Sequence, residues 1–273
     1  MNATGGPRLH IVYADDWKDA VITLLEPYSP YRPWRCGDAH ADQGDLVAYV
    51  LNTDPASVLT VTARIETDGS PLDAEFERPL FQPMLAEMST LAMLAGVHTS
   101  IDIDWALNGD GAARFDKALD GCRYISPPAS RFGHNSMAAA RTLMLFSGTC
   151  EGCLRPIDLT GPDARDEIFV HTVEPYGRPE RSDWRRWRIS DSVDWSAVIC
   201  RGCRDRMNTE GFGRFVDFKF AQHPACPECG ARRTRATFYG MPSDPSNIRP
   251  WAYAAGCCVR SEEWLCDECE HEW

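Results

Sequence analysis

Residues 150–175 read CEGCLRPIDLTGPDARDEIFVHTVEP, and residues 200–208 read CRGCRDRMN. Together they place a strand-like segment between two CxxC pairs, and two further pairs follow at 226/229 and 266/269. A CxxC turn brings two thiolates to one ion, so two such pairs complete a tetrahedral Cys₄ zinc site. The spacing therefore predicts two structural zinc ions. The predicted ligands are Cys150, Cys153, Cys200, Cys203, Cys226, Cys229, Cys266 and Cys269.

Four pairs can combine in more than one way. Joining 150/153 to 200/203 leaves residues 154–199 between the pairs, and joining 226/229 to 266/269 leaves residues 230–265. The alternative joins 200/203 to 226/229 across a shorter segment, nearer to common zinc-finger spacing. We favour the first pairing because CPECG and WLCDECEHEW resemble the two knuckles of one bacterial zinc ribbon. The four remaining cysteines are expected to be buried thiols.

The composition indicates a folded protein with metal-binding cysteines. The chain has 273 residues, 44% of them hydrophobic, which suits about two domains with buried cores. Its sequence has no apolar run of the ~18 residues that a membrane span needs, and its start lacks a signal-peptide pattern. In a reducing compartment the CxxC spacing indicates metal binding or redox chemistry, and four pairs in a ribbon-like context favour metal. We therefore expect a soluble cytoplasmic protein with no membrane partner.

The net charge of −12 argues against a polyanionic partner, but the acidic excess is confined to one part of the chain. Residues 1–122 hold 8 Arg and Lys against 19 Asp and Glu, whereas residues 123–273 hold 20 against 21. Arginines concentrate in residues 178–206, a pattern compatible with phosphate contact or with a salt-bridged surface. The phosphate-binding candidates are Arg185, Arg186 and Arg204.

Local patterns predict an α+β fold. LHIVY predicts a buried strand, DDWKDAVITLLEPY a helix that ends before Pro27, and LVAYVLN and VLTVTARIET two more strands, all within residues 1–80. Helical spacing in FQPMLAEMSTLAMLAG and NSMAAARTLMLFSG, with turn-rich GDGAARFDKALDG between them, predicts a helical bridge over 81–140. Residues 141–215 and 216–273 are expected to form two zinc-stabilised parts.

The segment EIFVHTVEP between the first two knuckles resembles the HNH nucleases. In that family a ββα-metal core carries a V-H-H-I-x-P type motif on a hairpin, and a helix begins at the second knuckle. Val170, His171 and Pro175 match the motif, and Asn208 stands where the ligand on the helix is expected. The resemblance implies a ββα-metal fold for residues 141–215.

The same resemblance implies metal-dependent hydrolysis of a phosphodiester bond. His171 would deprotonate the attacking water, while a Mg²⁺ or Mn²⁺ ion stabilises the leaving 3′ oxygen. Asn208 would hold this ion with help from Glu174, Asp191 or Asp194. The catalytic candidates that the resemblance implies are His171, Asn208 and Glu174.

Three departures from the HNH motif leave an alternative open. The second motif histidine is replaced by Thr172, the mid-motif asparagine by Trp195, and the histidine after the last knuckle by Arg204. The alternative is a zinc scaffold that has lost its chemistry, in which His171 is an ordinary strand residue.

Residues 1–80 resemble PUA-like domains, the superfamily that includes the EVE, ASCH and SRA branches. Tryptophans at 17 and 34 and the stretch QGDLVAYVL, with Gly44 and Asp45, carry this resemblance. It implies a β-barrel with a pocket for a flipped, modified base. Ring-stacking candidates are Trp17, Trp34 and Tyr13, and candidates for polar contacts to the base are Asp38 and His40.

A base reader joined to an HNH-like core and a zinc ribbon resembles type IV, modification-dependent restriction endonucleases. This resemblance implies recognition of modified DNA, for example DNA containing 5-methylcytosine, followed by metal-dependent phosphodiester hydrolysis. Modified RNA is an alternative partner, because PUA-like domains bind both DNA and RNA. A homodimer is one assembly compatible with the sequence. The alternatives are a nucleic-acid-binding zinc protein without cleavage and a zinc-stapled protein-interaction adaptor.

Overall fold

The computed structural model describes residues 6–36, 40–73, 85–97, 106–122, 133–174, 194–240 and 248–273. The chain forms two compact units whose segments alternate along the sequence. The first unit contains residues 1–148 and 157–167, and the second contains residues 149–156 and 168–273. The chain therefore passes between the units three times.

The first unit is built on a mixed β-sheet. Its strands are β1 (Leu9–Ala14), β2 (Trp34–Arg35), β3 (Leu46–Leu51), β4 (Ser57–Arg64), β5 (Leu85–Glu87) and β6 (Ala106–Leu107). The strand order is β2-β1-β3-β4-β5, and β6 pairs with the remaining part of the β1 edge. Within the described residues this sheet is open, so the expectation of a β-barrel is corrected to an open mixed sheet.

The mixed character comes from one parallel pair, β1 with β3. A parallel pair needs a crossover, and helix α1 (Trp17–Leu25) lies in that connection. Asp16 caps α1, since its carboxylate accepts hydrogen bonds from the backbone N–H groups of Lys18 and Asp19 at 2.9 and 3.2 Å. The strand and helix predicted for this segment, and the end of the helix before Pro27, are confirmed.

The parallel pair is fixed at one end by a buried carboxylate, Asp45. Its oxygens accept hydrogen bonds from the Arg8 and Asp42 backbone N–H groups at 2.9 and 3.1 Å, and it bonds to His10 Nε2 at 2.8 Å. Burial opposes ionisation of this carboxyl, but the hydrogen bonds from His10, Arg8 and Asp42 hold its pKa below the usual range. Asp45 follows Gly44, whose φ of 91° forms the turn into β3.

One face of the sheet packs against α2 (Met88–Ala95) and α3 (Gly109–Cys122). Because side chains alternate along a strand, every second residue of β1 and β3 faces these helices. The buried residues of this core are Leu9, Ile11, Leu46, Ala48, Val50, Val58, Met88, Leu91, Ala95, Ala112, Phe115 and Leu119. Both helices fall in the range expected to form a bridge, and both share the core of the first sheet.

The turn-rich interpretation of GDGAARFDKALDG is wrong, because this stretch forms α3. Ala112, Phe115 and Leu119 follow helical spacing and are buried on one side. The helical patterns around it are confirmed by α2 and by α4 (Ser136–Met144), although the residues before α2 form β5. The short helix α5 (Ala164–Glu167) completes the first unit.

The described residues of the second unit form a hairpin, two helices and a small sheet. Its elements are β7 (Ile168–His171), β8 (Ala197–Cys200), α6 (Arg201–Glu210), α7 (Phe215–Phe220), β9 (Thr234–Phe238), β10 (Ala252–Ala254) and β11 (Trp264–Cys266). Strands β7 and β8 pair antiparallel, and α6 begins directly after β8, so the order is ββα. The small sheet has the order β10-β9-β11. None of the described helices in either unit has the length and apolarity required to cross a membrane.

Candidate metal centres and the His171 site

The four cysteine pairs meet in two groups. Cys150, Cys153, Cys200 and Cys203 form the first cluster, and Cys226, Cys229, Cys266 and Cys269 form the second, with all sulfurs of a cluster within 4.8 Å of one another. The sulfurs of Cys153 and Cys200 are 3.8 Å apart, and two cross-pairs of the second cluster are 3.6 Å apart. Tetrahedral zinc with a Zn–S distance of about 2.3 Å places its sulfurs about 3.8 Å apart. Both clusters can therefore hold structural zinc, and the favoured pairing is confirmed.

The first cluster joins a turn to the start of a helix. In the turn, the Cys150 N–H donates to the Arg155 carbonyl and the Leu154 N–H donates to the Cys150 carbonyl, both at 2.8 Å. The second pair lies at the N-terminus of α6, where the helix dipole favours negative charge. The two parts meet directly, since the Cys200 N–H donates to the Cys150 sulfur at 3.2 Å.

Lys219 binds the backbone of the first CxxC turn, a role that the sequence analysis did not predict. Its Nζ donates to the Glu151 and Gly152 carbonyls at 3.0 and 2.9 Å, and the residue is only 7% exposed. Burial and the charge of Arg249 lower the pKa of Lys219, whereas the sulfur of Cys150 opposes that shift. One zinc ion with four thiolates carries two negative charges, so a buried ammonium beside the cluster offsets part of them. The only sequence signal was a lone lysine in the apolar run FVDFKF.

Neighbouring thiols raise the pKa of some cysteines in each cluster and lower the pKa of others. Burial and the neighbouring Cys150 raise the pKa of Cys203 far above its usual value. In the second cluster, burial works against ionisation of Cys226, yet backbone N–H donors and sulfur neighbours lower its pKa to about 7. The His271 N–H favours the Cys269 thiolate, but burial and the other three sulfurs raise its pKa to about 12. A divalent cation reverses this balance, because it stabilises all four thiolates together.

An aromatic contact and an ion pair involve residues next to the cysteines of the second cluster. His223 lies edge-on to Trp264 with ring centroids 4.9 Å apart, and Arg235 pairs with Asp267 at 2.7 Å. His271 stacks on the ring of Trp273 and is not one of the four ligands.

The cysteines outside the clusters differ from one another. Cys36 is buried and Cys122 is half-buried, whereas Cys257 and Cys258 are exposed. The expectation of buried thiols is therefore wrong for the last two.

His171 lies at the end of β7 and is paired with a carboxylate. Its Nε2 is 2.7 Å from Asp194 Oδ2, and the two side chains are 19% and 17% exposed. The other oxygen of Asp194 accepts the backbone N–H groups of Trp195 and Val216 at 2.8 and 3.1 Å. Burial opposes ionisation of Asp194, but the bonds from His171 and Val216 hold its pKa below the usual range. Asp194, expected among the metal-binding helpers, thus orients the imidazole of His171.

The other catalytic candidates surround this pair only in part. Asn208 is exposed on α6, and Glu174 is exposed just after β7. In the described ranges, only the two cysteine clusters bring three or more His, Cys, Asp or Glu ligands together. The geometry therefore does not show the expected Mg²⁺ or Mn²⁺ site. Pro175, Arg185, Arg186 and Asp191 lie outside the described residues.

The described phosphate-binding candidate is Arg204. Its guanidinium carbon lies 3.9 Å from the ring centroid of Phe169, and its side chain is 46% exposed. A weak ion pair at 3.4 Å joins it to Asp205. The guanidinium is therefore positioned by a ring and still open to solvent.

Two of the candidates for base binding, Tyr13 and Trp34, do not share a face of the sheet. Trp34 pairs in register with Ala14, and Tyr13 pairs with Arg35, so Tyr13 and Trp34 lie on opposite faces of the sheet. The ring of Trp34 contacts Tyr49 edge-on at 5.0 Å, a partner that the sequence analysis missed. Burial raises the pKa of Tyr49 to about 12.

Two polar or aromatic candidates lie elsewhere in the first unit. Trp17 opens α1 and is half-buried. His40 is exposed, with its Nε2 3.8 Å from an oxygen of Asp42. Asp38 lies outside the described residues.

No family model matches the chain, and no characterised protein or solved structure is significantly similar to it.

Proposed function

We propose that the protein is an HNH-like endonuclease that cleaves DNA carrying a modified base such as 5-methylcytosine, with His171 as the general base. The observation that carries this proposal is the His171–Asp194 pair, held at 2.7 Å beside a zinc-type Cys₄ cluster. A hairpin held by two cysteine pairs, followed by a helix that begins at the second pair, is the arrangement that the HNH resemblance implies.

The pair suits proton abstraction from water. An ionised Asp194 only accepts hydrogen bonds, so Nε2 of His171 carries the proton and Nδ1 keeps its lone pair. In the proposed reaction Nδ1 takes a proton from water, the water oxygen bonds to phosphorus, and the bond from phosphorus to the 3′ oxygen breaks. The 3′ oxygen leaves with the bonding electron pair and takes a proton from solvent. Asp194 then stabilises the imidazolium that forms, and its two backbone donors keep it in place.

The position of Asn208 along α6 supports its proposed role as a ligand of the divalent ion. It lies four residues beyond Arg204, so both are on one side of α6. His171 lies two residues beyond Phe169 on one side of β7, and Arg204 contacts Phe169. Four steps along a helix advance about 6 Å and two steps along a strand about 6.7 Å, so Asn208 and His171 each lie about 6–7 Å along their own element from that contact.

The expected divalent ion would supply charge for the leaving 3′ oxygen, with Asn208 and Glu174 as oxygen ligands. Because the only metal-type groups among the described residues are the two cysteine clusters, the proposed reaction is derived without a step through this ion. Arg204 is the proposed phosphate contact, because its guanidinium is exposed and held by a ring. Base reading by the first unit rests on the PUA-like resemblance.

The test is cleavage of matched unmodified and 5-methylcytosine duplexes by the purified zinc-loaded protein, in Mg²⁺ and in Mn²⁺. The variant is His171→Ala, and the matched control is His134→Ala, an exposed histidine of the first unit. Modified DNA should be cut by the wild type and the control and left intact by His171→Ala, with equal zinc content in all three.

Two other results would overturn the proposal. Tighter binding of the modified duplex without cleavage by the wild type would identify a non-cleaving reader. Absence of salt-dependent binding to DNA or RNA would favour the protein-interaction adaptor.

A further inference from the structure

Two adjacent cysteines, Cys257 and Cys258, lie exposed on the connection between β10 and β11. They follow Gly256, whose φ of 87° turns the chain and whose carbonyl accepts the Gly240 N–H at 2.8 Å. The connection is therefore anchored at the residue before the pair. Their side chains are open to solvent at an anchored bend.

This pair stands apart from the zinc-type clusters. In the small sheet, Ala254 pairs with Phe238 near the exposed cysteines, whereas Cys266 pairs with Thr234 at the opposite end of β9. Four residues of strand separate Thr234 from Phe238, a rise of about 13 Å. Neither Cys257 nor Cys258 belongs to either cluster.

The spacing of neighbouring residues decides what two such thiols can do. Consecutive Cα atoms are about 3.8 Å apart, whereas a relaxed disulfide needs about 4.4–6.8 Å, so a disulfide between neighbours is strained. Binding one ion requires only that the sulfurs approach to about 3.8 Å, as they do in the Cys₄ clusters. Because the pair lies at a bend and outside any strand, strand alternation does not force the two side chains apart.

We propose that Cys257 and Cys258 form a two-thiolate binding site for a soft, thiophilic centre, the chemistry of Cu(I) and of trivalent arsenicals. Thiolates select soft ions, and Mg²⁺ or Ca²⁺ prefers oxygen ligands. Among the described residues, no third His, Cys, Asp or Glu closes a metal-binding group with this pair. The site therefore suits a centre that takes two sulfur ligands from the protein. With an organic arsenoxide, two As–S bonds form, the two thiol protons and the arsenoxide oxygen leave as water, and no electrons are transferred.

The test uses phenylarsine oxide on the zinc-loaded full chain, with binding followed by intact mass and by the number of fast-reacting thiols. The wild type should bind one arsenical and lose two fast thiols, while retaining two zinc ions per chain. Cys257→Ser and Cys258→Ser should each weaken binding at least tenfold without changing the zinc content. Cys122→Ser is the matched control, since this half-buried thiol lies in the first unit, and it should bind like the wild type.

Equal binding by the wild type and the Cys257→Ser/Cys258→Ser double variant would overturn the proposal. Release of zinc in step with arsenical binding would also overturn it, because the arsenical would then be taking cluster thiolates. Circular dichroism and zinc content show whether a serine variant is folded. Should one fail to fold, Cys257→Ala and Cys258→Ala replace it in the same assay.

Discussion

Replacement of Gly152 by alanine is expected to weaken zinc binding at the first cluster, because this glycine packs against a ligand. A Cβ at position 152 would lie 2.7 Å from the Cys203 sulfur, 3.1 Å from Cys203 Cβ and 3.3 Å from a ring carbon of Phe218. Favourable contact begins at about 3.5 Å, so the added methyl group overlaps all three. The sulfur cannot retreat without leaving the ion, and Phe218 is fully buried.

Overpacking of this kind costs about 1–3 kcal/mol, which corresponds to roughly 5- to 150-fold weaker zinc binding. The other knuckle of the same cluster supplies a matched control, since Gly202 occupies the same place in its CxxC pair. A Cβ there would lie 4.0 Å from the Cys200 sulfur, with no closer neighbour. Gly202→Ala should bind zinc as well as the wild type or slightly better, because alanine favours the first turn of α6.

The assay is competition for zinc with a chromogenic chelator, followed until both zinc equivalents have left the protein. In Gly152→Ala one equivalent should be lost at lower chelator concentration, and the other should behave as in the wild type. The same retention of both equivalents in Gly152→Ala and Gly202→Ala would refute the steric argument. Equal weakening in both variants would refute it as well, because only one glycine contacts a ligand.

Other residues give predictions of the same kind. Lys219→Met should lower the zinc affinity of the first cluster roughly tenfold in the same competition assay, since two knuckle carbonyls lose their charged donor. Asp194→Asn should keep both zinc ions and reduce cleavage about 10²-fold, measured as initial rates on modified duplex. Asp45→Ala should destabilise the first unit by about 3 kcal/mol in urea unfolding, because it removes the partner of the buried His10 ring and of two partly buried backbone N–H groups. The folded pKa of Asp45 lies below its unfolded value, so its stabilisation is present above about pH 4 and is lost as pH falls through the folded pKa. Urea midpoints between pH 6 and pH 3 should therefore fall more steeply for the wild type than for Asp45→Asn.

The zinc-binding groups were predictable because their chemistry is local. A CxxC turn supplies two ligands within four residues. The ribbon-like pattern around Cys226 and Cys266 indicated which CxxC pairs share a cluster. Strand and helix periodicity likewise identified β1 and α1, whose buried residues follow their own local patterns.

Long-range packing explains what the sequence analysis missed. The glycines and aspartates of GDGAARFDKALDG suggested turns, but burial of Phe115 and Leu119 outweighs that weak preference and makes the stretch helical. The mixed sheet depends on the parallel pairing of β1 with β3, a long-range contact that local sequence patterns do not reveal.

The same limit applies to the His171 site. Asp194 was recognised as a nearby carboxylate, but its role depends on a bond to His171 across 23 residues and on a donor from Val216. Lys219 reaches the first knuckle across a still longer stretch of chain. Contacts of this kind become visible only when separate elements are packed together.

The alternation of the two units along the chain limits how this protein can be divided or inherited. A fragment that begins at residue 149 carries residues 157–167, which belong to the first unit, and a fragment that begins at residue 168 lacks Cys150 and Cys153. No single cut therefore yields both units complete. Recombination between genes at one junction would separate the first zinc-binding turn from its partner or a first-unit helix from its sheet. The two units are therefore expected to be inherited together. Exchange of one unit for a homologous one requires at least two crossovers within the gene.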